Sequence, residues 1–283
     1  MPIAELSTGP IEYEDTGGDG PVIVPIHGLV MNGAVWREVV ADLRSDHRCV
    51  VPTLPLGGHR RPMHPEADLS LHGQARLIAE LLDHLDLHDV TLIANDWGGP
   101  QITAVEHPER LAALVLASCE AFDNIPPGLP GKFAGLAGRM PGGLFVCAQT
   151  LRVRALRRLP MTFGWMAKRP VPDDLMRSWI AGLCGDRAVR RDTAKYIRTS
   201  DNNGLVDAAE GLRTFERPVL LAWAAEDRVM PVAHAHRLAA LVPDGEVVEI
   251  ADSYTLLPLD QPAALASAIR SFVRARVRGS LPH

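Results

Sequence analysis

Cysteine is scarce in this sequence, and the few cysteines are scattered. Cys49, Cys119, Cys147 and Cys184 lie far apart, and none of them forms a Cys-X-X-Cys pair. Protein zinc sites commonly use such closely spaced pairs, so the spacing argues against a metal site. We expect reduced, mostly buried thiols. No other motif implies a metal or an organic cofactor, and we therefore expect none.

Long apolar runs and a recognisable targeting segment are also missing. No run of about 18 apolar residues is present, so we expect no transmembrane helix. The N-terminal stretch up to Gly18 has neither a basic segment nor an apolar core, so we expect no signal peptide. The net charge of -5 argues against nucleic acids and anionic membranes as partners. We expect a cytoplasmic protein with a small-molecule substrate, and a homodimer is an open option.

The sequence does contain a regular alternation of apolar runs and helical patterns. The predicted strands are residues 11–15, 22–26, 48–51, 90–94, 111–118, 219–223 and 247–250. The predicted helices around them are residues 36–43, 71–85, 100–107, 233–241 and 263–275. Because strands that alternate with helices form a parallel sheet covered on both faces, the sequence predicts an α/β fold with a mostly parallel, doubly wound sheet. A length of 283 residues suits one large domain with an insertion, or two small domains.

The alternation stops between residues 124 and 213. This segment contains turn signals, such as Pro126-Pro127-Gly128, and helical stretches that include residues 186–197, but no convincing buried strand. We interpret residues 124–213 as a helical cap. It is inserted into a core domain that residues 1–123 and 214–283 form.

Asp96 lies between a predicted buried strand and a predicted helix. A tight strand-to-helix turn lifts one residue above the edge of the sheet and needs small neighbours, which Gly98 and Gly99 provide. Asn95 occupies a position where glycine is usual, and asparagine tolerates a positive φ better than most residues do. The start of the next helix favours a negative group. Capping of that helix is the simpler role for Asp96, but the strand, the glycines and the upstream His27 together favour a functional carboxylate.

The order of these motifs resembles the α/β-hydrolase superfamily. The chain has a strand followed by His27-Gly28, then Asp96-Trp97-Gly98-Gly99 before a helix, then a helical segment, and then Glu226-Asp227-Arg228 after a later strand. The stretch Asn-Asp-Trp-Gly-Gly is most similar to the haloalkane dehalogenase and epoxide hydrolase branch. The resemblance covers nearly the whole chain and implies a cap over the C-terminal edge of the strands, where such sheets bind ligands.

The resemblance also implies roles for individual residues. In that branch a carboxylate attacks an alkyl carbon, and a water activated by histidine hydrolyses the resulting ester. The nucleophile would be Asp96, and the backbone N–H groups of Trp97 and Leu29 would form the oxyanion hole. The Trp97 indole N–H would also bind a leaving halide. Many dehalogenases have a side-chain donor at the position of Leu29, so the halide site looks incomplete.

Two carboxylates are candidates for the supporting acid. Asp227 follows the predicted strand at residues 219–223, which is the usual place in the superfamily. Glu120 follows the predicted strand at residues 111–118, which is the place that a subset of dehalogenases uses. Pairing with a local arginine or capping of a turn is the structural alternative for each of them.

The histidine that serves as the base in the superfamily is missing. The segment Leu256-Leu257-Pro258-Leu259-Asp260-Gln261-Pro262 matches the family's loop, and this match puts Thr255 at the position of the histidine. Threonine does not act as a base near pH 7, whereas histidine titrates near that pH. Loss of general-base help typically costs about 10²–10⁴-fold in rate.

Three hypotheses follow from the missing histidine. In the first, another side chain replaces it; His59 is a candidate if its loop faces the cleft, with an exposed loop histidine as the alternative, while an orienting role suits His27 better. In the second, Asp96 itself transfers protons, with Tyr254 or Tyr196 as a proton donor. In the third, the chain binds a small ligand without catalysis.

We expect a hydrolase that acts on a small, largely apolar molecule with an alkyl halide, epoxide or ester carbon. Trp165 and Trp179 in the predicted cap are candidate walls of the substrate pocket, with core packing as the alternative. A cofactor-free lyase or cyclase that uses Asp96 for proton transfer, and a non-catalytic binding protein, are the alternative functions.

Overall fold

A single sheet of eight strands forms the centre of the fold in the computed structural model, which describes residues 1–277. The strands are β1 (Ile3–Leu6), β2 (Gly9–Asp15), β3 (Val22–Ile26), β4 (Arg48–Pro52), β5 (Val90–Asp96), β6 (Leu111–Cys119), β7 (Val219–Ala224) and β8 (Gly245–Ile250). They lie in the order β1-β2-β4-β3-β5-β6-β7-β8. Strands β3 to β8 pair in parallel, whereas β1 and β2 pair antiparallel at one edge. The predicted α/β fold with a mostly parallel sheet is confirmed.

Helices connect and cover the strands. They are α1 (Arg37–Leu43), α2 (Leu71–His84), α3 (Gly99–Glu106), α4 (Gly128–Arg139), α5 (Gly143–Thr150), α6 (Arg154–Arg157), α7 (Asp173–Gly185), α8 (Arg187–Thr199), α9 (Asn202–Gly211), α10 (Val232–Ala239), α11 (Leu257–Asp260) and α12 (Pro262–Phe272). Short 3₁₀ segments lie at Gly33–Trp36, Pro108–Arg110 and Leu212–Thr214, and a π-helical turn at Val273–Val277 follows α12. Within residues 1–277, no helix combines the length and the apolar character that crossing a membrane requires.

The central strands explain why the sheet forms. Every residue of β5 and of β7 is buried, as expected for strands that are covered on both faces. The first strand, β1, was not predicted, because Ile3–Leu6 is a short, half-buried edge strand that forms a hairpin with β2. The end of the predicted core domain, residues 278–283, lies outside the described residues.

The strand order creates a switch point at the carboxyl ends of β3 and β5. In the sheet, β4 lies next to β3 on one side, and the chain then returns so that β5 lies next to β3 on the other side. Loops that leave the carboxyl ends of β3 and β5 therefore diverge, and ligands bind in the crevice at such a switch point. Leu29 follows β3, and Asp96 ends β5.

Six helices, α4 to α9, separate β6 from β7, and residues 120–218 contain no strand. We call them the inserted helices. Helix α8 begins after Asp186, whose side chain accepts a hydrogen bond from the Ala188 N–H at 2.7 Å. Its buried Asp192 accepts a hydrogen bond from the Met63 N–H at 2.8 Å and so ties this helix to the loop after β4.

Candidate active site

Asp96 ends β5 on a strained turn. Its φ is 66°, in the left-handed region that non-glycine residues rarely adopt, and the Trp97 N–H bonds back to the Asn95 carbonyl at 2.8 Å. The expectation that Asn95 would have the positive φ is wrong, because Asn95 keeps an extended conformation within β5. Its side-chain amide instead donates to the carbonyls of Ala117 and Thr255, both at 2.7 Å. Asn95 therefore ties the turn to the neighbouring strand and to the loop after β8.

Gly28 makes room for the Asp96 carboxylate. A Cβ atom on Gly28 would lie 1.9 Å from Asp96 Oδ2, so a side chain cannot be placed there without moving the carboxylate. The next residue, Leu29, donates its backbone N–H to the same oxygen at 3.3 Å. In this structure the predicted oxyanion-hole donor therefore holds the carboxylate.

His27 is a structural support of this loop. Its Nε2 accepts a hydrogen bond from the Leu54 N–H at 2.9 Å, so its Nδ1 carries the proton and donates to the Gly28 carbonyl at 2.9 Å. Complete burial lowers the pKa of His27 to about 4 and keeps the ring neutral. These contacts agree with an orienting role, since one ring nitrogen bonds to the backbone of its own loop and the other to the loop after β4.

A small cavity lies beside Asp96. It measures about 80 Å³, and its wall includes Leu29, Asp96 and Glu120 from the core, together with Phe133 and Phe163 from the inserted segment. Most of the wall is apolar. A cavity of about 150 Å³ accommodates benzene, so this one suits a molecule of only a few heavy atoms.

The ionisation of Asp96 is shifted towards neutral pH. Burial raises the pKa of Asp96 to about 7, the Leu29 N–H opposes the rise, and the charge of Asp227 adds to it. Both the carboxylate and the carboxylic acid are therefore populated near neutral pH. A group with this pKa is suited to act as a nucleophile or to exchange protons.

Glu120 belongs to the same cavity. Its Oε2 accepts the Gly98 N–H at 3.4 Å, and its own backbone N–H donates to the Asp96 carbonyl at 3.0 Å. Burial, and then the charge of Asp96, raise the pKa of Glu120 well above its ordinary value. Both influences favour the neutral, protonated form of Glu120 beside the Asp96 carboxylate.

Asp227 lies next to Thr255 in the structure. Oδ1 of Asp227 accepts the Thr255 hydroxyl at 2.8 Å and the backbone N–H groups of Val229 and Met230 at 2.9 and 2.8 Å. Its Oδ2 is buried and has no hydrogen-bond partner among the described residues. Burial raises the pKa of Asp227, and these hydrogen bonds oppose the rise. Thr255 thus faces the carboxylate that would orient a histidine at this position.

Trp97 carries an available donor close to Asp96. Its indole Nε1 is buried and makes no hydrogen bond within residues 1–277. Gly99 allows this ring position, since a Cβ there would lie 2.0 Å from the indole. The ring of Tyr196 meets the indole edge-on, with centroids 6.4 Å apart. Neither ring forms part of the cavity wall.

His59 is buried rather than exposed. Its relative exposure is 2%, so the alternative of a solvent-exposed loop histidine is wrong. Its Nδ1 accepts the Gly57 N–H at 3.3 Å, and its Nε2 lies 3.5 Å from Asp192 of α8. These contacts direct the ring towards the inserted helices, and His59 is not part of the cavity wall.

Tyr254, a candidate proton donor, packs at the surface. The guanidinium of Arg228 lies 4.7 Å from its ring centroid and the ammonium of Lys168 lies 5.4 Å from it. The structure therefore places this ring between two cations and not on the cavity wall. Its neighbour in sequence, Thr255, is fully buried.

Neither Trp165 nor Trp179 is part of the cavity wall, which agrees with the alternative of core packing. Trp165 is partly buried against the hydrophobic core, and Trp179 is fully buried behind Phe163, with ring centroids 5.3 Å apart. Phe163 itself, together with Phe133 and Met161, lines the cavity. The sequence does not identify these three residues, because an apolar residue in a helical segment carries no local signal of which cavity it faces.

The described residues contain no group of three or more His, Cys, Asp or Glu side chains arranged to hold a metal ion. The chemistry available at this site is that of Asp96 and Glu120 in an apolar cavity, with a hydrogen-bonded pair of Asp227 and Thr255 nearby.

Comparison with known proteins identifies similar chains. A model of the alpha/beta hydrolase fold family matches residues 21–262. Haloalkane dehalogenase 2 of Mycobacterium tuberculosis is 29% identical over 281 residues, which cover 94% of this chain and 92% of that protein. The cis-3-alkyl-4-alkyloxetan-2-one decarboxylase of Xanthomonas campestris is 26% identical over 284 residues, which cover 93% of this chain and 92% of that protein.

Solved structures share the fold. An ancestral haloalkane dehalogenase superposes with a TM-score of 0.78 at 19% identity, covering 99% of this chain and 100% of that one. The haloalkane dehalogenase DbeA from Bradyrhizobium elkani gives a TM-score of 0.79 at 19% identity, with 98% of each chain covered. At this identity the likeness supports the architecture alone.

Proposed function

Since the chain belongs to the α/β-hydrolase fold family, we propose that it is a hydrolase in which the Asp96 carboxylate attacks a carbon atom of a small apolar substrate. The observation that carries the proposal is the position of Asp96. It ends a buried strand with a φ of 66° and faces an apolar cavity of about 80 Å³. Backbone strain of this kind is concentrated at functional sites.

The geometry supports attack by one particular oxygen. The Leu29 N–H holds Oδ2 at 3.3 Å, and no hydrogen bond within residues 1–277 engages Oδ1. Oδ1 therefore has a free lone pair for the substrate carbon. Attack forms an ester between Asp96 and the substrate and expels the leaving group.

The substrate class follows from the cavity and the relatives. The apolar wall favours a small molecule with an alkyl halide, epoxide or lactone carbon. The relatives are named as a haloalkane dehalogenase and as an oxetanone decarboxylase, whose names give a carbon–halogen bond and a strained oxygen ring as the groups acted on. We propose further that residues 124–213 form a cap that limits access of water, because Phe133, Met161 and Phe163 from this segment line the cavity beside Asp96.

One observation favours a second candidate function. A pKa of about 7 suits Asp96 to remove a proton from a substrate carbon or from water. In that case no covalent intermediate would form. The chain would then be a cofactor-free acid–base enzyme in the same fold.

The test is the mass of the protein after incubation with 1-bromobutane at pH 8. We expect the mass to increase by one butyl group, with the modification in the peptide that contains Asp96, because hydrolysis of the ester lacks its usual base. An Asp96→Asn variant provides the matched control and should gain no mass. Turnover of an epoxide or lactone by a protein that 1-bromobutane does not alkylate would favour the acid–base function, and absence of both adduct and turnover would refute the proposal.

A further inference from the structure

Glu120 and Asp96 form a pair at the ends of neighbouring strands. Asp96 ends β5, Glu120 follows β6, and the Glu120 N–H donates to the Asp96 carbonyl at 3.0 Å. Both side chains reach the same cavity wall. Oε2 of Glu120 accepts the Gly98 N–H, whereas Oε1 makes no hydrogen bond within the described residues. One carboxyl oxygen of Glu120 is therefore free to face a bound molecule.

The two carboxyl groups differ in their protonation. A dry cavity does not favour two adjacent negative charges, so the first charge suppresses the second. Asp96 ionises near pH 7, and the pKa of Glu120 lies well above its ordinary value because of burial and the Asp96 charge. Between these two ionisations the site holds one carboxylate, on Asp96, and one proton, on Glu120.

We infer that Glu120 replaces the missing imidazole, as acid when the substrate opens and as base when the ester is hydrolysed, and that the natural substrate is a small strained oxygen ring. The inference rests on the proposed nucleophilic role of Asp96. It differs from the supporting role expected for this carboxylate, because Glu120 contacts the substrate itself.

The first step consumes the Glu120 proton. An Asp96 oxygen forms a bond to a ring carbon as the carbon–oxygen bond of the ring breaks. The electron pair of that bond moves to the ring oxygen, which takes the proton from Glu120. The products are an ester on Asp96 that carries a new hydroxyl group, and a Glu120 carboxylate.

The second step returns the proton. Glu120, now ionised, accepts a proton from a water molecule as the water oxygen attacks the ester carbonyl of Asp96. The ester bond to the substrate oxygen breaks, and that oxygen takes the second hydrogen of the water. The diol leaves, Asp96 is again a carboxylate, and Glu120 is again protonated. The same group thus serves as acid and base in turn, as a catalytic carboxyl does in retaining glycosidases.

An alkyl halide should complete the first step of this cycle but not the second. A halide leaves as an anion and needs no proton, so Glu120 stays protonated and offers no base for the second step. A haloalkane should therefore alkylate Asp96 once, and its alkyl group should remain on Asp96 as an ester. An epoxide should be turned over repeatedly. This contrast separates the role proposed here from that of a carboxylate that only supports the fold.

The experiment compares 1,2-epoxybutane with 1-bromobutane, which share a four-carbon skeleton, on the full chain at pH 8. Glu120→Gln is the test variant, because glutamine is neutral, as the protonated acid is, but cannot transfer a proton. We expect epoxide turnover to fall by about 10²–10⁴-fold, and alkylation by the bromide to stay near its wild-type rate. Glu66→Gln makes the same chemical change at an exposed site and should leave both rates unchanged.

The pH profile is the second readout and needs no variant. Asp96, Cys119 and Tyr196 are the titratable groups that interact with Glu120, and only Asp96 ionises near neutral pH. Alkylation by the bromide should rise through about pH 7 and then stay level. The epoxide reaction should rise in the same range and fall at higher pH, when Glu120 loses its proton.

The outcomes distinguish the two claims. If the bromide alkylates Asp96 but epoxide turnover is insensitive to Glu120→Gln, or both rates fall together, the role of Glu120 is overturned and the nucleophile stands. Repeated turnover of the bromide at pH 8 would also overturn it. If the bromide leaves no adduct on the wild-type protein, the proposed function fails and this inference fails with it.

Discussion

The Thr255 hydroxyl donates a 2.8 Å hydrogen bond to Oδ1 of Asp227. Backbone N–H groups of Val229 and Met230 fix the same oxygen, so the carboxylate keeps a defined orientation towards position 255. The charge of Asp227 also contributes to the raised pKa of Asp96. The chain therefore has a buried acid aimed at position 255, where threonine stands in place of the family's histidine.

This arrangement predicts that Thr255→His creates a hydrolytic base. An imidazole at this position would pair with Asp227, and it should release the ester that 1-bromobutane leaves on Asp96. We expect hydrolysis of the trapped ester to accelerate by about 10²–10⁴-fold, measured by the loss of the adduct mass and by repeated bromide release. A larger side chain at a fully buried site typically costs about 1–3 kcal/mol, so circular dichroism should accompany the assay.

Two variants control this prediction. Thr255→Val removes the hydroxyl without adding a base, and its ester should persist as in the parent protein. Adding Asp227→Asn to Thr255→His removes the partner that orients the imidazole and should slow the release. An ester that persists equally in a folded Thr255→His variant would show that position 255 does not reach the ester.

Gly28→Ala tests the fit between the first loop and the carboxylate. The added Cβ would lie 1.9 Å from Asp96 Oδ2, so the carboxylate must move. A displacement of about 1 Å can cost about 10²-fold in rate. We expect a loss of that order in alkylation by 1-bromobutane, followed by mass spectrometry over time. Gly185→Ala, where a Cβ meets nothing within 4 Å, should retain the parent rate, and an unchanged rate in Gly28→Ala would contradict the geometry.

Asp96→Asn should make the protein more stable at high pH. Burial raises the pKa of Asp96 from 3.8 to about 7, so folding opposes ionisation of this group. A rise of this size corresponds to roughly 4 kcal/mol. The contribution of Asp96 to the free energy of unfolding is fully present below pH 3.8. It decreases as the pH rises towards 7, and above that pH it stays constant at the lower level. Asparagine has no charge to bury and also tolerates a positive φ.

Thermal unfolding at a series of pH values measures this effect. The melting temperature of Asp96→Asn should exceed that of the parent at pH 8 by several degrees, and the difference should narrow as the pH is lowered towards 4. Asp19→Asn alters an exposed aspartate and should give no pH-dependent gain. A constant difference across the pH range would show that ionisation of Asp96 is not the cause.

The sequence predicts the family, the enzyme class and the sheet, and the comparisons and the structure confirm these three. The central strands could be predicted because runs such as residues 111–117 are continuously apolar. The boundaries were less certain: β5 extends to Asp96 because that residue still pairs with Cys119 of β6. The edge strand β1 escaped prediction, since four half-buried residues give little periodic signal.

The candidate site could be predicted only where local sequence determines the geometry. The turn at Asp96 follows from the residues around it, although the positive φ lies one residue later than expected. The surroundings of His59 and Tyr254 could not be predicted, because contacts with distant residues determine them. Burial of His59 depends on α8, and the ring of Tyr254 lies between cations that are far away in sequence.

Leu29→Asn should add a donor for a leaving halide. Leu29 lies on the cavity wall but offers no side-chain donor, and the Trp97 indole N–H, which is buried without a hydrogen-bond partner, is not part of that wall. A donor aimed at developing negative charge can contribute about 10²-fold or more, because a dry site strengthens the interaction. We expect faster alkylation of Asp96 by 1-bromobutane, measured by stopped incubations and intact mass. The rate of the epoxide reaction should increase less, because the leaving oxygen of the epoxide takes a proton from Glu120. Leu29→Met, which adds no donor, should leave the bromide rate unchanged, and an equal gain in both variants would attribute the effect to cavity shape instead of halide binding.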